Sequence, residues 1–368
     1  MGEARPWRER ALRRAERLGS LLDTTRPGGA VDLEVSENRR RLWSRHQPTA
    51  ISIRTDLLAH TGGRSLFQGL ESRRGVAQQA LLTSLFLAQC RPTPSSGETP
   101  EFTLPMRDST DLAKPPWRGL IAASTFDKTG RRPTARFPTD GAVEQIRYAF
   151  DRLESEGRVE LRGRDRRHRF ERIRLLNEGT VNTTQVTKPG YRPPRQVEDT
   201  IAVPAEFWLN GWVHALESNE IIAYFMLLRS WQATPVEQRD AGILMSRISF
   251  SLAFGRGRGG EAYRMLSRYG LVGIDRDPRR RDDGTVRHHN SDDILTTTRT
   301  DPHRFHVHDA EALQVSAVSR VEAALRAQAD GMGMEDAQMM AVYDYDYDEM
   351  CRSLGVAMDQ PIPHPPPS

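Results

Sequence analysis

The stretch TDGAVEQIRYAFDRLESEGRVELRGRDRRHRFERIRLLNE (Thr139–Glu178) decides how the rest of the chain is interpreted. Its first half repeats apolar residues at helical spacing, and Gly157 follows as a natural left-handed terminator. The apolar stripe consists of Val143, Ile146, Ala149, Phe150 and Leu153. Two short runs with alternating apolar residues then flank Gly163 and an arginine-rich turn. The stretch therefore predicts a helix followed by a basic two-stranded ribbon.

This order of helix, glycine and basic hairpin resembles the winged helix-turn-helix superfamily of DNA-binding proteins, in which a third helix precedes a wing. The sequence upstream fits the same plan. Gly75–Cys90 predicts a buried first helix, and Pro115–Ser124 predicts a short second helix with proline in its first turn. The connection from Ser124 to Thr139 is longer than the tight turn usual in the superfamily.

The second half of the chain repeats this outline after a proline-rich linker at Val186–Gln196. Glu217–Trp231 predicts an apolar first helix, and Ser246–Gly255 predicts a second helix. Gly260–Asp277 predicts a third helix that ends at Gly270 and leads into a strand. The alternating sequence HRFHVH (His303–His308) predicts the returning strand of a second wing. We therefore predict an α+β, mostly helical chain with two tandem winged-helix domains.

The predicted boundaries divide the chain into six segments. Residues 1–74 are a basic N-terminal arm and lead-in, 75–179 the first winged-helix domain, 180–199 the linker, and 200–309 the second winged-helix domain. A C-terminal helix at 310–330 either packs within the chain or pairs with a second copy, which leaves a homodimer open. The acidic, proline-rich tail at 331–368 is predicted to be disordered. The helix predicted at Ala4–Leu22 docks on the body, lies on nucleic acid or remains a solvated arm.

Composition narrows the class of protein. The chain has 53 basic residues against 49 acidic ones, and only three of the basic residues are lysines. Because GC-rich coding also enriches arginine, the placement of the arginines matters more than their number. Cys90 and Cys351 are too few and too far apart to indicate a disulfide framework or a cysteine zinc site. No apolar run is long enough to cross a bilayer and no secretory signal is recognised, so we expect a cytoplasmic protein without a membrane partner.

The superfamily resemblance implies that each third helix lies in the major groove of double-stranded DNA and that the wing contacts the backbone. Outward side chains of the two third helices are therefore candidate base readers. Arginines at the tip of the first wing are candidate phosphate contacts, and so are the arginines just before the third helix of the second domain. The candidate DNA-binding residues are Gln145, Arg147, Tyr148, Arg152, Arg164, Arg166, Arg167, Arg256, Arg258, Arg264, Ser267 and Arg268.

No enzyme, cofactor or metal site is predicted. The sequence GRGRGG, just before the third helix of the second domain, lacks the Lys-Ser/Thr of a P-loop and does not follow a strand. His306-Val307-His308 resembles the metal motif of rolling-circle nucleases, with tyrosines downstream at 343, 345 and 347, but its alternation fits a plain strand better. The leading hypothesis is a transcriptional regulator. A plasmid-type replication initiator and a protein-interaction scaffold are the alternatives.

Overall fold

A computed structural model of the chain describes residues 4–25, 30–58, 60–61, 64–70, 75–91, 99–123, 138–163, 168–179, 189–195, 197–244, 259–275, 304–308 and 310–331. The helices are α1 (Ala4–Leu22), α2 (Val31–Trp43), α3 (Leu66–Gly69), α4 (Val76–Gln89), α5 (Pro138–Ser155), α6 (Glu206–Leu209), α7 (Trp212–Ala215), α8 (Ser218–Ala233), α9 (Gly259–Arg268) and α10 (Ala317–Gly331). The strands are β1 (Ala50–Arg54), β2 (His60–Thr61), β3 (Arg64–Ser65), β4 (Glu101–Phe102), β5 (Val159–Leu161), β6 (Ile173–Leu175), β7 (Thr200–Pro204), β8 (Ile243–Leu244), β9 (Val272–Asp275) and β10 (Arg304–Val307). The chain is α+β with small antiparallel sheets, as predicted. None of the described helices has the length and apolar character that crossing a membrane requires.

The first repeat of the fold consists of α4, α5 and one small sheet. α4 is buried along almost its whole length, as its apolar sequence predicts, and it packs against α5. β5 and β6 pair antiparallel after α5, which confirms the predicted ribbon. β4, which follows α4 in the chain, pairs with the other edge of β6. The sheet order is therefore β4-β6-β5, so a strand that follows the first helix completes the ribbon.

The second repeat has the same order of elements. α8 packs against α9, and β8, β10 and β9 form an antiparallel sheet in that spatial order. Phe305 and Val307 of β10 are buried, whereas His306 is half-buried and His308 exposed, which confirms the predicted alternation. The second helix predicted at Ser246–Gly255 lies outside the described residues, as does most of the C-terminal tail.

The helix that precedes each ribbon ends in the same way. Gly157 and Gly270 have positive φ angles of 63° and 79°, a conformation that strains any residue with a Cβ atom. The next backbone N–H donates back into the helix, from Arg158 to the Leu153 carbonyl at 2.7 Å and from Leu271 to the Leu266 carbonyl at 3.0 Å. These bonds are the hydrogen-bond pattern of a Schellman C-cap. Both predicted glycine terminators are thus confirmed, and each directs the chain into the first strand of its ribbon.

The first half of the chain contains only a short turn where a second helix was predicted. Over the described part of Pro115–Ser124, a single 3-10 turn forms at Trp117–Gly119. The carbonyl of Gly119 accepts a hydrogen bond from Asn38, and the carbonyl of Leu120 accepts two from the Arg39 guanidinium. Because α2 takes the carbonyls that a longer helix would use internally, the turn does not extend.

α1 and α10 pack against each other along their length, so the two terminal helices meet. Arg14 of α1 reaches α8, where its two terminal nitrogens lie 2.7 and 2.6 Å from the carboxylate oxygens of Glu220. The Tyr269 hydroxyl donates to the same carboxylate at 3.0 Å. α1 is therefore docked on the second repeat, one of the arrangements expected for it, and α10 packs within the chain.

Apolar side chains of both repeats form one connected core. The indole of Trp208 in α6 stacks on Phe86 of α4 with ring centroids 5.6 Å apart. Arg54 of β1 lies 2.9 Å from Glu178, which follows β6, and 2.5 Å from Glu198, which precedes β7. Direct packing therefore fixes the two repeats to one another, in addition to the linker between them.

Candidate nucleic-acid interface

α5 has one buried face and one accessible face. All five members of its predicted apolar stripe are buried, which confirms the stripe. On the opposite face, Tyr148 is 65% exposed, an unusual exposure for a large ring. Gln145 is half-buried, and its amide nitrogen donates to the Gly141 carbonyl one turn earlier at 3.1 Å. Tyr148 therefore belongs to the accessible side of the helix, as the sequence predicts, whereas the amide oxygen of Gln145 is buried.

Arg147 links α5 to the ribbon. Its guanidinium donates to Glu144 at 2.9 Å and lies 5.8 Å from the centroid of the Phe170 ring. Phe170 belongs to the turn between β5 and β6, and the Arg169 guanidinium lies 5.5 Å from the same ring. Both distances fall within the range of a cation–π contact. Helix and ribbon therefore form one continuous surface.

A carboxylate of α5 also holds the ribbon in place. Glu154 accepts the backbone N–H of Leu161 in β5 at 2.9 Å and a hydrogen bond from Arg169. Arg169 also lies 3.3 Å from Asp151, one turn before Glu154. Burial raises the pKa of Asp151, and the positive charge of Arg169 opposes that shift. The base of the ribbon is thus attached to α5 through ionic contacts as well as through Phe170.

The arginines of the ribbon strands are also paired with acids. Glu160 lies 3.1 Å from Arg162 and 3.2 Å from Arg174, and Glu101 of β4 lies 2.6 Å from Arg172. Partial burial would raise the pKa of Glu160, but the hydrogen bonds from these two arginines outweigh it and lower that pKa. Positive charge at the base of the ribbon is therefore largely cancelled. The predicted phosphate contacts Arg164, Arg166 and Arg167 lie outside the described residues.

Arg152 has a partner inside the protein. Its guanidinium donates to the carbonyl of Gly69 at the end of α3, and its side chain is half-buried. This contact attaches α5 to the segment that leads into α4. Arg152 is therefore attached to α3 rather than to the ribbon.

In the second repeat, α9 has its predicted buried side. Ala262, Leu266 and Tyr269 are all buried, as predicted. On the other side, Arg264 and Ser267 are half-buried and Arg268 is exposed. The Arg264 guanidinium lies 6.0 Å from the centroid of the Tyr263 ring. The candidates Arg256 and Arg258 lie outside the described residues.

α5 and α9 can be aligned through the glycines at which they end. Counted back from Gly157 and Gly270, Ala149 matches Ala262, Phe150 matches Tyr263, and Leu153 matches Leu266, and all six are buried. In this alignment Arg264 takes the place of Asp151 and Arg258 takes the place of Gln145. The candidates predicted on α9 therefore lie about one to three turns nearer to the glycine than Gln145 and Tyr148 do. A position-by-position comparison of the two helices in the sequence could have revealed this difference.

His306 of the suggested nuclease motif contacts an acid of the ribbon. Its Nε2 atom lies 2.8 Å from the Asp275 carboxylate, and its ring packs 6.3 Å from Trp231. Among the residues that the structure describes, no three His, Cys, Asp or Glu side chains are grouped to hold a metal ion. The downstream tyrosines lie outside the described residues.

Comparisons with known proteins add no relative. No protein-family model matches the chain, and neither the curated proteins nor the solved structures contain a significant match. The functional interpretation therefore depends on the topology and the side chains of this chain alone.

Proposed function

We propose that the protein binds double-stranded DNA through two winged-helix units, most simply as a transcriptional regulator. One observation carries the proposal, namely that the same element order and sheet order occur twice in the chain. In each repeat a buried first helix is followed by a short strand, a later amphipathic helix and an antiparallel ribbon. The short strand pairs with the second ribbon strand in both repeats.

The side chains on the accessible surface support the same proposal. Tyr148 lies on the open side of α5, and Arg147 joins that side to the ribbon. An aromatic ring such as that of Tyr148 can contact the thymine methyl group. The arginines of the ribbon tip would then contact phosphates next to the groove that α5 enters.

A plasmid-type replication initiator is the second candidate, because one chain carries both units in a fixed relation through a shared core. Both candidates require duplex binding by the same surfaces. The DNA selected by the protein separates them. Repeated sites beside an AT-rich region indicate an initiator, and single sites in promoters indicate a regulator.

The proposal is tested with the full-length chain. Duplexes are selected from random and genomic DNA, and the affinity for the selected site and for a scrambled duplex is measured by fluorescence anisotropy over a range of KCl concentrations. Log affinity should fall linearly with log salt concentration, by about 0.9 for each phosphate contact. Failure to bind any duplex at low salt would contradict the proposal. Failure to bind at every salt concentration would favour a protein-interaction scaffold.

A variant pair isolates the ribbon tip. Replacing Arg164, Arg166 and Arg167 by alanine should weaken binding to both duplexes alike and flatten the salt dependence. The control replaces three exposed arginines of α2, its C-terminal flank and α10 by alanine, at positions 41, 45 and 326, which makes the same change in charge. Equal effects of the two triple variants would show that only net charge matters.

A further inference from the structure

The two repeats meet at a short two-stranded sheet that is nearly symmetric. β1 precedes the first repeat, β7 precedes the second, and they pair antiparallel with Ser52 opposite Ala202 at the centre. At one end the Thr55 N–H donates to the Asp199 carbonyl at 3.1 Å, and at the other end the Ala205 N–H donates to the Thr49 carbonyl at 3.0 Å. A twofold rotation about the centre of the pair interchanges these two bonds.

The first helix of each repeat is attached to its own strand by the same device. Near the end of α4, the Gln89 amide accepts the Ser52 N–H at 3.0 Å and donates to the Ser52 carbonyl at 2.8 Å. Near the end of α8, the Gln232 amide accepts the Ala202 N–H at 3.0 Å and donates to the Ala202 carbonyl at 2.7 Å. The outer backbone groups at the centre of both strands are thus satisfied by equivalent glutamines. The twofold relation between the strands therefore extends to α4 and α8.

α3 lies between β1 and α4, and α6 lies between β7 and α8. Each of these short helices contacts the opposite repeat. Phe67 of α3 packs on Phe225 of α8 with centroids 6.2 Å apart. Reciprocally, Trp208 of α6 donates its indole N–H to the Leu82 carbonyl of α4 at 3.0 Å. Counted back from Gln89 and Gln232, Leu82 and Phe225 are equivalent positions. An interface in which each side contacts the equivalent part of the other is isologous, as between the subunits of a twofold dimer.

We infer that one chain binds one DNA site made of two half-sites in inverted orientation. This inference rests on the proposed function. We extend the twofold axis that relates α4 to α8 to α5 and α9, because each of these helices packs on the first helix of its own repeat and leads into a ribbon with the same strand order. A duplex has twofold axes of its own, and a protein with twofold-related reading helices matches an inverted site.

The bases of the two half-sites should nevertheless differ, since Gln145 and Tyr148 of α5 correspond to Arg258 and Glu261 in the alignment through Gly157 and Gly270. The site is therefore inverted in orientation but not a perfect palindrome. A single chain fills it, where an ordinary dimeric regulator needs two chains.

The orientation of the two units can be mapped by tethered DNA cleavage. Arg162 and Asp275 lie at equivalent places in the two ribbons, the same number of residues after Gly157 and Gly270, and their side chains are 43% and 64% exposed. Arg162→Cys and Asp275→Cys are made separately in a chain with Cys351→Ser, while the buried Cys90 is retained. An iron-EDTA reagent on the new thiol then cuts the selected duplex close to the attached ribbon.

The inference predicts cuts at mirror-related distances from the centre of the site, both at its flanks or both near its middle. It also predicts one chain for each duplex by sedimentation. One variant cutting near the middle and the other at a flank would show direct orientation and overturn the inference, while DNA binding itself stands. Two chains on one site would overturn it as well. Failure to bind any duplex would instead reject the proposed function. If Arg162→Cys impairs binding, Glu171→Cys, at an exposed position of the same ribbon, replaces it.

Discussion

The docking of α1 on the second repeat makes a quantitative prediction for Arg14→Met. Arg14 is 9% exposed, and Glu220 is 4% exposed at its side chain. Burial opposes the charge on Arg14, but the two glutamates and Tyr269 around it outweigh burial and raise the pKa of Arg14 well above its ordinary value. Methionine has a similar length and fills the same space, but it leaves the Glu220 carboxylate without its cation.

Removing one partner of a buried ion pair costs about 3–5 kcal/mol. The lower half of that range applies here, because Glu220 retains hydrogen bonds from the Tyr269 hydroxyl at 3.0 Å and from the Glu217 N–H at 2.8 Å. We therefore expect Arg14→Met to lower the free energy of unfolding by about 3–4 kcal/mol. Adding Glu220→Gln removes the uncompensated charge, so the double variant should be more stable than Arg14→Met alone.

The assay is urea unfolding, followed in parallel by far-ultraviolet circular dichroism and tryptophan fluorescence to test for a two-state transition. Arg13→Met is the matched control, since Arg13 lies on the same helix with its side chain 67% exposed and lies 3.6 Å from Glu9. The control should change stability by less than about 0.5 kcal/mol. If Arg14→Met behaves like the control, α1 is not docked on α8 in solution and the reasoning fails.

Three further predictions concern other parts of the molecule. Gln89→Ala should lower the free energy of unfolding by about 2 kcal/mol, because it leaves the half-buried Ser52 backbone groups unpaired, whereas Gln232→Ala should lower it less because water reaches the exposed Ala202 backbone. Equal losses in urea unfolding would contradict this difference. Burial lowers the pKa of His214 below 6.5, so on acidification the imidazole is protonated in the unfolded chain before it is protonated in the folded chain, and the protein loses stability as the pH falls below 6.5. His214→Gln should therefore reduce the fall of the melting temperature with decreasing pH, and equal slopes for the variant and the unmodified protein would refute the assignment. Tyr148→Ala should leave the unfolding free energy nearly unchanged but reduce the affinity for the selected duplex more than that for a scrambled one, and an equal loss on both would show that the ring does not read sequence.

Features fixed by local sequence were predictable. The stripe from Val143 to Leu153 is buried because its spacing places it on one side of a helix, whatever packs there. Gly157 and Gly270 end their helices because glycine adopts a positive φ angle at little cost. Buried and accessible side chains alternate along β10 because successive residues of a strand point to opposite faces. These elements were enough to predict both ribbons.

Features that depend on distant contacts were not predictable from one sequence. Arg14 lies in a helix rich in arginine, and only the position of Glu220 on α8 distinguishes it from its solvated neighbours. The pairing of β1 with β7 joins segments far apart in the chain, and the local sequence of neither strand identifies the other as its partner. At the candidate site, the acids that pair with the arginines of the ribbon base come from three different elements. The sequence therefore suggested more exposed positive charge there than the fold presents.

Major-groove protection tests the central claim most directly. Dimethyl sulfate methylates guanine at N7, an atom that faces the major groove. With the full-length protein bound to its selected duplex, we predict guanine protection in two separate tracts. Tyr148→Ala should restore reactivity in one tract only, and Arg264→Ala with Arg268→Ala should restore it in the other. A duplex that is fully bound but remains equally reactive at every guanine would show that neither α5 nor α9 enters the major groove, and would contradict the account.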